Sequence, residues 1–107
     1  MNTSDPDQNT PPELLRMRQE IDALDKTLID ILARRYNVVR RVGEFKVKHN
    51  MEAVQPVRAQ AVKDRAVDMG AAQGLDREFT RKLYDLVIDH AHDMEHEILG
   101  TTEKGDA

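Results

Sequence analysis

The run "LLRMRQEIDALDKTLIDILARRYNVVRRVGEFK", Leu14 to Lys46, decides how this chain folds. Its apolar residues stand at Leu14, Met17, Ile21, Leu24, Leu28, Ile31, Val38, Val42 and Phe45, in steps of three and four with one gap at position 35. That period lines one side of an α-helix. The preceding "TPPE" supplies a start, with Thr10 as N-cap, Pro11 in the first turn and Glu13 placed to close a capping box. No proline breaks the pattern before Pro56, and Gly43 is its only glycine. The pattern predicts one helix from about Pro11 to about His49, on the order of 58 Å long at 1.5 Å per residue.

Two shorter helices follow. Pro56, after the loop "NMEAVQ", opens a segment carrying Val57, Ala61, Val62, Ala66 and Met69 that ends near Gly70 to Gly74. Asp76 in "LDREF" is the N-cap of the last, whose inner face is expected at Phe79, Leu83, Leu86, Val87, His90, Met94 and Ile98. Gly100 stops it. No stretch alternates as a strand does. The fold class is all-α, three helices per chain with one very long. The helical domain is expected over residues 10–100, between a disordered tail at 1–9 and a flexible one at 101–107.

A helix of that length outruns what two shorter segments can cover. Its stripe stays wet unless a second copy lies against it, and a heptad-like seam suits two such helices. An intertwined homodimer is therefore expected. Composition agrees: 107 residues with 4% aromatics and no Trp bury a modest core, and oligomerisation enlarges it. No cysteine is present for a disulfide or thiolate site. A net charge of −4 argues against nucleic acid as main partner. No signal peptide or membrane span is read, so the expected place is the cytoplasm.

The gap at position 35 holds the chemistry. Arg35 sits where the register calls for an apolar residue, and a buried guanidinium without an anion costs several kcal/mol. The anion is either an acid of the protein, such as Asp25, Glu44 or one on another helix, or a ligand carboxylate gripped through two parallel hydrogen bonds. Lys46 follows eleven residues on, three turns along and nearly in phase. Arg18 precedes Arg35 by seventeen residues, about 25 Å along the helix. It reaches the same site only from the partner of an antiparallel pair. Arg34, Arg35, Arg40, Arg41, Lys46 and Lys48 form a basic cluster that reads as a solvated face or as a seat for a small polyanion.

The first-helix run closely resembles that of the all-helical (type II) chorismate mutases, and "GLDREFTRKLYDLVIDHAHDME" resembles their last helix. The likeness covers about residues 14–99. It implies an intertwined dimer with two buried sites, no cofactor, and a Claisen rearrangement of a dicarboxylate. By that resemblance Arg35 and the partner subunit's Arg18 bind the two carboxylates. Lys46 and Glu95 give the ether oxygen its hydrogen bonds, and Arg58 matches the arginine of the second helix. Ala91 stands among the substrate-contacting positions. The residues suit these roles. Cationic clamps fold a flexible dianion, and donors aimed at an oxygen gaining charge act on the transition state. Glu95 donates only while protonated, which burial favours. Activity is then expected to fall as pH rises, and Glu95→Gln to flatten the fall.

The second helix departs from the family's D-x-x-R-E pattern. In "QPVRA", Gln55 stands in the Asp place and Ala59 in the Glu place, so contacts to the substrate's C4 substituent change. The stretch "QPVRAQAVKDRA" resembles instead the 4-amino-4-deoxychorismate mutases of p-aminophenylalanine-derived antibiotic biosynthesis. The amine preference rests on that resemblance, since Gln55 can serve an amine or a hydroxyl. Chorismate to prephenate, isochorismate to salicylate and pyruvate, and a non-catalytic helical dimer are the alternatives. "HDMEH", His92 to His96, spells the H-x-x-E-H of a zinc peptidase but lacks a downstream third ligand, so no metal is expected.

Overall fold

The computed structural model describes residues 8–100, which form three α-helices: α1 (Pro12–Lys48), α2 (Pro56–Ala72) and α3 (Arg77–Leu99). Of the expected tails at 1–9 and 101–107, residues 1–7 and 101–107 lie outside the described residues, while Gln8 and Asn9 form a turn. Each expected helix is present within a residue or two of its expected ends. No strand occurs among the described residues. Among the described residues no helix is long and apolar enough to cross a membrane.

The start of α1 differs in detail. Pro11 accepts the first helical hydrogen bond, from Leu15 N at 2.9 Å, so Pro11 and not Thr10 is the capping residue. Thr10 instead accepts from Arg18 Nη1 at 3.4 Å. Asp76 caps α3 as expected, its side chain accepting from Phe79 N at 2.9 Å. Gly100 ends α3 in the left-handed conformation, φ 76°.

The described residues divide into two units, one ending at Arg35 and the other beginning at Tyr36. In the first, α1 stands without cover: every residue from Arg16 to Ile31 is exposed, apolar ones included. Leu24, mid-stripe, is 65% exposed.

In the second unit α2 and α3 form an antiparallel hairpin. Three ion pairs climb it, Asp68–Arg77 at 2.8 Å, Asp64–Arg81 at 3.3 Å and Lys63–Asp85 at 3.1 Å. Each is largely solvent-screened, so they set register more than stability. Ala66, Val67 and Gly70 of α2 are buried, as are Thr80, Val87, Ile88, Ala91 and Glu95 of α3. Of the expected inner face of α3, Val87 is buried and Met94 and Ile98 are half-buried. Phe79, Leu83 and Leu86 are exposed in the single chain, and Val57 and Met69 of α2 likewise. Small residues make the close approaches: a Cβ on Gly70 would meet Thr80 Oγ1 at 3.0 Å, and one on Gly43 would meet Ile98 Cδ1 at 2.9 Å. Thr80 returns its hydroxyl to the Asp76 carbonyl at 3.0 Å, which lets a polar residue sit in that core.

Candidate active site

Lys46 stands in the last turn of α1 and Glu95 near the end of α3, and the second unit brings them together. The Lys46 ammonium donates to Glu95 Oε1 at 2.5 Å and to the Ala53 carbonyl at 2.7 Å. Both side chains are nearly buried, 12% and 9% exposed. Glu95 reaches this depth because it shares a helix face with Ile88 and Ala91, three to four residues apart, all buried. A charge this far from water needs a partner. Each supplies it for the other, and the Ala53 carbonyl adds a second acceptor for the ammonium.

An ammonium has three N–H donors. Two are committed here, which leaves one to aim at an incoming oxygen. The arrangement can therefore hold a charged donor at a fixed point in a water-poor setting, where it acts strongly on any oxygen that gains charge during a reaction.

The residues expected to meet the substrate's C4 substituent gather at the start of α2. Gln55 is the N-cap of that helix, and its side chain makes no capping hydrogen bond. Ala59 is half-buried and donates its N–H to the Gln55 carbonyl at 3.0 Å. Arg58 is exposed in the same turn. Ala91 is buried one turn before Glu95 on α3. Arg18 and Arg35 belong to the first unit, Arg18 exposed and Arg35 half-buried on one continuous helix. Seventeen residues of helix hold them about 25 Å apart, so one chain does not bring both to a single small molecule.

The histidines fall otherwise than expected in one case. His90 is exposed and meets the Tyr36 ring edge-on, centroids 4.8 Å apart, instead of packing in a core. His92 and His96 flank Glu95. Among the described residues no group of three or more His, Cys, Asp or Glu is placed to hold a metal ion.

Two groups escaped the sequence reading. One is the Ala53 carbonyl, which no side-chain pattern announces. The other is Tyr36, whose hydroxyl donates to the Val87 carbonyl at 3.0 Å and ties α1 to α3. Its signal was the half-polar character of a tyrosine beside the apolar stripe, where buried rings usually find a hydrogen-bond partner.

Residues 17–96 match the family model described as chorismate mutase type II. The chain is 45% identical over 76 residues to a Streptomyces venezuelae protein named 4-amino-4-deoxychorismate mutase, covering 71% of this chain and 74% of that one. A Streptomyces pristinaespiralis protein of the same name is 35% identical over 81 residues, 76% of this chain and 63% of its own length. The bifunctional chorismate mutase/prephenate dehydratase of Escherichia coli K12 is 30% identical over 76 residues, 71% of this chain and 20% of that protein.

Proposed function

Because the chain belongs to the chorismate mutase type II family, we propose that it is an isomerase that rearranges 4-amino-4-deoxychorismate to 4-amino-4-deoxyprephenate. The observation that carries the substrate is the likeness to two Streptomyces proteins of that name across most of this chain. Gln55 and Ala59, where the wider family has acids, agree with it. The reaction is a [3,3]-sigmatropic shift: the ether carbon–oxygen bond breaks as a carbon–carbon bond forms, and no atom leaves. It needs a folded substrate and a stabilised ether oxygen, not a nucleophile.

In this proposal Arg35 and the partner subunit's Arg18 hold the two carboxylates. The free donor of Lys46 meets the ether oxygen, and Glu95 completes the pair once it carries a proton. Gln55, Arg58, Ala59 and Ala91 shape the remainder of the substrate's surroundings. The working unit is a homodimer of one domain per chain, and the uncovered stripe of α1 supports it. Each fully covered Leu or Ile there contributes about 1.5–3 kcal/mol. Sedimentation at micromolar concentration is expected to give a dimer, and a monomer mass overturns this part. The reaction serves p-aminophenylalanine-derived antibiotic biosynthesis in the cytoplasm.

The test is a competition between purified chorismate and 4-amino-4-deoxychorismate. The amine is expected to have the larger kcat/KM, and comparable constants would sink the substrate assignment while sparing the family. Ala59→Glu restores an acid near C4 and is expected to move preference toward chorismate. The second reading, chorismate to prephenate, is favoured by the bifunctional relatives, in which the matching part is about a fifth of the protein.

A further inference from the structure

Lys46 is tied to the loop behind it at both ends. Its own carbonyl accepts from Met51 N at 3.0 Å, and Val47 O accepts from Asn50 N at 3.4 Å. Asn50 lies between them at φ 53°, in the left-handed region. These two bonds and that dihedral form a Schellman helix end with Asn50 as the left-handed residue. The chain then turns and buries Ala53, whose carbonyl accepts from Lys46 Nζ at 2.7 Å. The loop thus closes on one residue, through its main chain at Met51 and its side chain at Ala53.

We infer that Asn50 is a positioning residue for catalysis: by ending α1 in a left-handed turn it places the Ala53 carbonyl where that carbonyl fixes the Lys46 ammonium. The inference rests on the proposed role of Lys46 as donor to the ether oxygen. Glu95 alone holds the ammonium from one side. A single acceptor leaves a four-carbon chain free to swing about it, whereas two acceptors from different elements define the direction of the third N–H. Asparagine suits position 50 because it tolerates the left-handed conformation that a β-branched residue resists. Glycine adopts it without a steric cost.

The test is a pair of substitutions read against Lys46. Asn50→Val is expected to lower kcat by about tenfold or more, as a misplaced catalytic group does. KM should move by much less. Asn50→Gly is expected to recover most of the parent rate. In a Lys46→Ala background, Asn50→Val should cause no further loss, because its effect runs through the missing ammonium. Full activity in Asn50→Val overturns the inference, and so does an equal loss with and without Lys46, which marks a merely structural turn. If Asn50→Val does not fold, the same question is put to a chain with the α-hydroxy acid analogue of Val54. That change converts the 53–54 amide to an ester and weakens the Ala53 carbonyl as acceptor. A reduced kcat supports the inference and an unchanged one overturns it. Should Lys46→Ala itself keep the parent rate, the parent reading fails, and that result is distinct from any outcome at Asn50.

Discussion

Lys46→Ala is expected to lower kcat about a thousandfold, the upper range for loss of one donor to a developing oxyanion. KM should change far less, because in the proposed mechanism the ammonium acts on charge that appears as the ether bond breaks. The substitution has a second effect that must be kept apart. It strips the ammonium from Glu95, which is 9% exposed at its side chain. Breaking a buried pair from one side costs about 3–5 kcal/mol. A drop in melting temperature should accompany the loss of rate. Adding Glu95→Gln removes the stranded charge, so the double variant is expected to melt higher than Lys46→Ala while remaining as slow. Steady-state kinetics beside thermal melts check both halves. A kcat within tenfold of the parent would remove Lys46 from the chemistry.

The second large effect concerns the arginines of the long helix. Arg35→Ala and Arg18→Ala are each expected to be nearly inactive with helical content kept. About 25 Å of helix separates the two positions in one chain, so a shared site requires two chains. After subunit exchange, half of the dimers carry one copy of each variant, and each of these has one site with both arginines intact. An equal mixture should therefore regain roughly a quarter of the parent rate, as two-fold symmetry dictates. If exchange is demonstrated by mass and no activity returns, the arginines do not work across subunits.

Most of the fold was legible because its signals are local. A proline at Pro56, an aspartate at Asp76 and a glycine at Gly100 act on the backbone within a turn of themselves, and the helices begin and end there. Burial was harder to read. The apolar residues Phe79, Leu83 and Leu86 are exposed in the single chain, while Thr80 is buried. Periodicity reports that a face is apolar, not which neighbour covers it. Thr80 could not be foreseen inside, since its place depends on the nearness of Gly70 in space. In the candidate site, Lys46 and Glu95 were picked out by family likeness and the structure brings them within 2.5 Å. The Ala53 carbonyl was beyond reach, because every residue carries one and only the turn at Asn50 aims it.

Under the proposed homodimer, the bare stretch from Arg16 to Ile31 has a consequence for dosage. A polypeptide that completes itself by meeting its twin obeys mass action, and below the pairing constant most copies are solitary. Catalytic output then climbs with the square of the number of molecules made, so halving synthesis removes three quarters of the flux. Expression level becomes a throttle steeper than for any enzyme that works alone.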